Sequence, residues 1–321
     1  MRWLTIGVAV LAALWSAWWI IGSTAFERGV VAGIDAARAR GWGIAYDDLS
    51  VSGFPNRFDT SIDTPRVATP DGTVAWSTPF LRVFALSYRP NQIIAVAANE
   101  MAFDLPAGRV DVTAEDLRAS ATFTPSTSPD LNRATMVGTA LTASGAGLDA
   151  TLDAAQLALR RAEGETAYDV ALDMSGLRPG EALRAAIDPF ASLPPVVEGL
   201  DVDLLATFDR PLGAGGPPEV TALDLREARL VWGDLRLVLA GMVEVDPEGV
   251  PEGVLTLDAE GWQAALRLAA SAGLVEAGQL PLLTAGLAGM AADDGRITLD
   301  LVLEEGGMRL GPIPLGPAPR F

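Results

Sequence analysis

No cysteine, no histidine and no lysine occur among the 321 residues, so all 23 basic side chains are arginine. Each absence removes chemistry. Without histidine there is no Ser-His or Cys-His nucleophile pair and no imidazole metal ligand. Without cysteine there is no thiolate nucleophile, no iron–sulfur ligand and no disulfide, which fits a reducing compartment or an unstapled exported protein equally well. Without lysine there is no Schiff base and no phosphate-loop lysine. Positive charge is scarce as a whole: 41 acids against 23 arginines give a net charge of −18. Nucleic acid is excluded as a partner, because phosphate neutralisation needs concentrated basic residues.

Long apolar runs are rare after the first thirty residues, but one opens the chain. After Arg2 no charge appears until Glu27. Trp3 to Gly22 would rise roughly 30 Å as a helix, the thickness of one hydrocarbon core. Trp3 stands at one end and Trp18 and Trp19 near the other, where indoles favour the membrane interface. The positive end, Arg2, stays in the cytoplasm and everything after Ala25 lies outside. Small residues at Ser23 and Ala25 would also serve a signal peptidase, although the apolar run exceeds the usual secretory length. An uncleaved anchor and a cleaved signal are both compatible with this segment, and either one exports the body.

The body changes character. Val30, Ile34 and Ala37 keep helical spacing up to Gly41, and short period-two runs follow. Tyr46–Val51 and Phe58–Ile62 come first. Val74–Tyr88 and Ile93–Leu105 are then separated by Arg-Pro-Asn-Gln, a turn by composition. Tyr168–Ser175, Leu200–Asp209, Leu235–Leu239 and Ile297–Glu304 repeat the alternation, with Leu, Val and Ile opposite Asp, Thr and Arg. Helical patterns interrupt after Pro179 and again after Glu260, where Trp262, Leu266 and Leu274 share a face and a break falls near Gly278–Pro281. Many short strands with few crossover helices predict a mainly β fold. Its architecture is a long, curved antiparallel sheet with a few short helices, preceded by one N-terminal transmembrane helix. The expected organisation is an anchor at residues 1–25, a juxtamembrane helix at 26–41 and a β-rich body at 42–321. The Gly/Pro loop at 209–219 is either an internal boundary or a long hairpin loop.

Carboxylates are the remaining candidates for chemistry. Asp47-Asp48, Asp293-Asp294 and Glu304-Glu305 are neighbours in sequence, which on a strand places them on opposite faces, not across one cleft. Asp201 and Asp203 share a face, and with Asp209 or Asp300 could hold Ca²⁺, although no dense acidic loop accompanies them. Ser144 and Ser175 lack a glycine frame and an activating base. No catalytic, metal or cofactor residue is assigned. The apolar stripe is the stronger signal. Val202, Leu204, Ile297, Leu299 and Leu301 line one face of the sheet, either as a conventional core beneath the helices or as an open groove for acyl chains.

Gly53-Phe54-Pro55, followed by Phe58 and Asp59, reads as a sheet corner: glycine takes backbone conformations closed to other residues, and proline fixes φ and lacks an N–H. With this corner, Gly311-Pro312 and Leu315-Gly316-Pro317, the chain resembles an uncharacterised Gram-negative family of inner-membrane-anchored periplasmic proteins. That family is catalogued as a domain of unknown function and grouped with AsmA-like proteins. The resemblance implies a single-pass protein of the inner membrane with its C-terminal body in the periplasm. It further implies a non-enzymatic role in envelope maintenance, by binding or shielding phospholipid or another acyl-chain lipid. The alternative is a structural or assembly factor that contacts other envelope proteins.

Overall fold

The computed structural model describes residues 2–126, 129–213, 218–271, 275, 278, 280–311 and 313–320. Leu274, Pro312 and the middle of the 209–219 loop lie outside the described residues. The chain opens with α1, which runs unbroken from Arg2 to Ala39, so the apolar run and the segment after it form one helix. Gly41 ends it with φ +95°, a conformation that suits glycine. Its N–H bonds to the Arg38 carbonyl at 2.9 Å and the Trp42 N–H reaches back to Ala37 at 3.2 Å, the paired bonds of a Schellman stop.

Ten short strands follow: β1 (Gly43–Ala45), β2 (Asp48–Ser52), β3 (Arg57–Asp63), β4 (Arg66–Ala68), β5 (Ala75–Ser77), β6 (Phe80–Leu86), β7 (Arg89–Ala97), β8 (Glu100–Leu105), β9 (Gly108–Thr113) and β10 (Asp116–Phe123). They are five long strands, each creased in the middle. The creases hydrogen-bond to one another: Thr64 N–H to Pro79 O at 2.8 Å, Thr78 N–H to Pro65 O at 3.2 Å, Ala98 N–H to Phe80 O at 3.2 Å and Ala114 N–H to Asn99 O at 2.8 Å. One limb of the creased sheet runs β2-β3-β6-β7-β10 and the other β1-β4-β5-β8-β9. The run Val74–Tyr88 is therefore two strands, divided at Thr78–Pro79. Arg-Pro-Asn-Gln is not the turn: Leu86 pairs with Arg89 around Ser87-Tyr88, and residues 89–92 already belong to β7. Pro90 is tolerated there because pairing with β10 begins only at Gln92.

Longer strands continue the sheet: β11 (Leu131–Ser144), β12 (Ala150–Arg161), β13 (Ala167–Pro179), β14 (Val197–Phe208), β15 (Val220–Trp232), β16 (Leu235–Val245), β17 (Pro251–Glu260), β18 (Ile297–Glu304), β19 (Gly307–Leu310) and β20 (Ile313–Pro317). β11 joins the two limbs, pairing with β10 along most of its length and with β9 through Thr142–Ser144. From there each strand pairs with the next, always antiparallel, as hairpin-connected strands do. The 209–219 loop joins β14 and β15 inside this sheet, held at its base by Asp209 N–H to Glu219 O at 2.9 Å. Three further helices are described: α2 (Glu181–Ile187), α3 (Trp262–Ser271) and α4 (Leu280–Ala288).

The core lies where helices meet the sheet. Trp262 and Leu266 of α3 and Leu287 of α4 bury against Ala259, Ile297, Leu299 and Ile313. A second cluster packs Ala264 of α3 with Leu193, Val197, Trp232 and Leu235, and Trp232 Nε1 donates to Pro194 O at 2.8 Å. Burial of aromatic and aliphatic side chains at this density supplies most of the stabilisation of such a region.

Candidate functional site

Directly paired residues in an antiparallel sheet point to the same side, so the register maps each face. Val51, Thr60, Val83, Ala95, Ala119 and Met136 are successive cross-strand partners from β2 to β11. The row continues through Leu157, Leu172, Val202, Ala228, Leu239, Leu257 and Leu299 to β18. Beside it runs a second row that includes Phe58, Ala85, Ile93, Ala121, Ala134, Leu159, Val170, Leu204, Leu255 and Leu301. One face is thus continuously apolar, interrupted in the first row only by the buried Thr60 hydroxyl. At about 4.8 Å per strand the rows extend roughly 58 Å along the sheet.

Helices cover this face at both ends. At the start α1 lies over it: Phe26 stacks on Phe58 at 5.2 Å, and Phe58 is buried. At the other end α3 and α4 seal Ile297 and Leu299 into the core. Between them the side chains are half-buried, and Met136 is 46% exposed. A recess of about 180 Å³ lies in this middle stretch, with Ala95, Ala119, Ala121 and Ala134 as its floor and Met136, Leu157 and Leu159 beside them. The small floor residues make the depression, and the larger neighbours make its walls.

The five stripe residues named from the sequence do share one face. Ile297 and Leu299 lie under the helices, whereas Val202, Leu204 and Leu301 are half-buried on the sheet. The recess residues on β7, β10, β11 and β12 were not singled out. Their signal is an alternation of Ala with Thr, Arg and Ser, visible in "RATMVGTA" only to a reader who counts alanine as apolar.

The Gly53–Asp59 corner joins β2 to β3 and docks on α1. Gly53 has φ +104°, and a Cβ there would lie 2.9 Å from the Arg57 carbonyl oxygen. The Phe54–Pro55 peptide is cis. Trp19 meets Phe54 edge-on at 5.5 Å, and its Nε1 donates to Arg57 O at 2.9 Å. Trp15 Nε1 donates to Pro55 O at 2.8 Å and stacks on Trp18 at 5.2 Å. Asp59 points to the other face, where it holds the Arg57 guanidinium and raises its pKa. Arg2 and Trp3 lie at the free end of the helix, Trp3 being almost fully exposed.

The opposite face of the sheet is polar and ion-paired. Hydrogen bonds from Arg160 and Arg226 hold the Asp169 carboxyl below the usual range, and Arg226 also reaches Asp203 at 3.0 Å. Burial, together with Asp173 directly across β13–β14, pushes the Asp201 carboxyl up. The four acids considered for Ca²⁺ do not converge. Asp203 is engaged by Arg226 and Asp209 by Arg210, and Asp300, which accepts from the Thr256 hydroxyl at 3.1 Å, is four strands from Asp201, about 19 Å. Among the described residues no group of three carboxylates is placed to hold a metal ion. The neighbouring acid pairs sit at a corner and in turns, with Asp47 accepting from Thr64 and Asp294 accepting from the Arg296 N–H at 3.1 Å.

No curated protein and no solved structure matches the chain. A family pattern matches residues 19–319, and the chain belongs to that family, described as an uncharacterised protein conserved in bacteria (DUF2125).

Proposed function

We propose that this member of the family is a non-enzymatic, AsmA-like protein of the bacterial envelope that holds the acyl chains of phospholipid along the apolar face of its sheet. α1 anchors it in the inner membrane, with the β-rich body in the periplasm. One observation carries the reading: the apolar rows run without a charge from the helix at one end to the helices at the other, and their middle is uncovered. A soluble β protein ordinarily covers such a face with a second layer. Even without its helix-covered ends the stretch is longer than the roughly 15 Å depth of one bilayer leaflet, so acyl chains fit along it without crossing a charge. Support for anchoring comes from α1, whose apolar window has a mean hydropathy of 2.0 and is not buried in the protein.

A photo-crosslinking residue at Met136, on the apolar face, tests this against the same residue at Met242, which is 55% exposed on the other face. Lipid adducts at position 136 and none at 242, in cells, are the expected result. Absence of lipid adducts at 136 overturns the reading. Protein adducts at 136 would instead favour an assembly role, for which the outer strands β2 and β20, each paired on one side only among the described residues, offer open edges.

A further inference from the structure

We infer that the β2–β3 corner and the adjoining β6–β7 turn are inserted in the outer leaflet, so that this end of the sheet is seated in the bilayer and not merely tethered above it. The inference rests on the reading of α1 as a membrane span and is independent of what the sheet binds.

Depth along α1 is the first argument. The side of the helix that meets the body begins at Ser16 and recurs at Trp19, Gly22, Ser23 and Phe26, a helical stripe. Residues 2–15 are exposed, with the Trp15 indole reaching the corner, and at 1.5 Å per residue they measure about 21 Å. A hydrocarbon core of roughly 30 Å therefore extends about 9 Å beyond the first contact with the corner. The uncharged run agrees, continuing to Phe26 before the first acid at Glu27. Hydrogen bonds from Trp15 to Pro55 O at 2.8 Å and from Trp19 to Arg57 O at 2.9 Å fix the corner at this level.

Chemistry of the tip is the second argument. Phe54 is 56% exposed and Tyr88 is 61% exposed. The two turns adjoin, since Ser87 N–H bonds to Asn56 O at 3.0 Å. Gly53 to Asn56 and Ser87-Tyr88 carry no charge, and the first charges on either strand are Arg57 and Arg89. Arg57 is paired with Asp59 and lies over the Phe84 ring at 5.4 Å, so its charge is not carried alone toward the lipid. An uncharged tip that exposes Phe and Tyr rings and is bordered by Trp and Arg is the pattern of interfacial insertion, in which aromatic rings sit at headgroup level and arginines meet phosphate.

The absence of cysteine permits a direct test in the full-length chain. Single cysteines replace Leu11, Phe54, Tyr88 and Glu248, each carrying a nitroxide, in phosphatidylethanolamine–phosphatidylglycerol vesicles. Collision with oxygen, which concentrates in lipid, is compared with collision with a water-soluble nickel chelate. Expected is a severalfold excess of oxygen at positions 11, 54 and 88, and the reverse at position 248 in the β16–β17 turn. Tyr88→Cys carries the test if Phe54→Cys fails to fold. Oxygen excess at position 11 with nickel excess at 54 and 88 overturns the insertion while leaving the span intact. Nickel excess at position 11 overturns both.

Discussion

Asp188 shows how much one side chain can hold. It follows α2, is 3% exposed, and accepts bonds from the Ser192 N–H, the Ser192 hydroxyl and the Leu193 N–H, each at 2.9 Å. Burial alone would push its pKa up, but these bonds and the nearby Arg184 charge outweigh burial, so the carboxyl is held below its usual value. A lowered folded pKa stabilises the protein above the unfolded value of about 3.9, and that contribution is lost as pH falls through the folded value. Asp188→Ala leaves the Leu193 and Ser192 N–H groups without an acceptor, next to the cluster in which Leu193 packs against Trp232. The expected loss is about 2–3 kcal/mol at pH 7, with a shallower decline in stability below pH ~4 than the parent shows. Denaturant melts at several pH values check both; an unchanged acid limb would reject the assignment.

At the scale of elements, α1 and the corner are joined by close approach. Gly22 faces Phe58, and a Cβ there would lie 3.1 Å from its Cζ, whereas Gly29 has open space around it. Both glycines are costly for a helix, by about 1 kcal/mol relative to alanine. Gly29→Ala should therefore raise the stability of the detergent-solubilised chain by about that amount. Gly22→Leu should lower it by about 1–3 kcal/mol, because the larger side chain displaces Phe58 from a packed site. Thermal melts of the pair separate propensity from docking. Elements with strong contrast were legible in the sequence: β13, β14 and β18 alternate Leu or Val with Asp or Thr, and α2 is bracketed by Pro179 and Pro189. β11 and β12 were not singled out, because Ala134, Gly138, Ala150 and Ala154 give little hydropathy contrast with their neighbours. The creases were missed for another reason. Thr78–Pro79 and Ala98–Asn99 interrupt apolar runs without the Gly/Asn clusters that mark hairpins, and a crease needs only one residue on each side to turn. Such bends are fixed by the hydrogen bonds that adjacent creases make with one another, and those are tertiary.

For the whole molecule, one-sidedness of the sheet was readable from period two, whereas its covering was not. Ile297 and Val202 look alike in the sequence, yet one lies beneath α3 and α4 and the other is half-buried on the sheet outside their cover. The difference depends on where α3 and α4 fold back onto the sheet, which no local pattern of the strands encodes. The open middle, with alanines at positions 95, 119, 121 and 134, is where occupancy by acyl chains can be separated from stability. Ala119→Trp places an indole in the recess of about 180 Å³, displacing any guest but disturbing no sealed packing. Because the recess is open to solvent, the change in folding stability should stay within about 0.5 kcal/mol. Lipid adducts from the crosslinker at Met136 should fall severalfold. A control, Ala171→Trp on the exposed opposite face of β13, should leave the yield unchanged. Equal yields from both variants would mean that lipid reaches Met136 from the surrounding medium and not from an occupied recess.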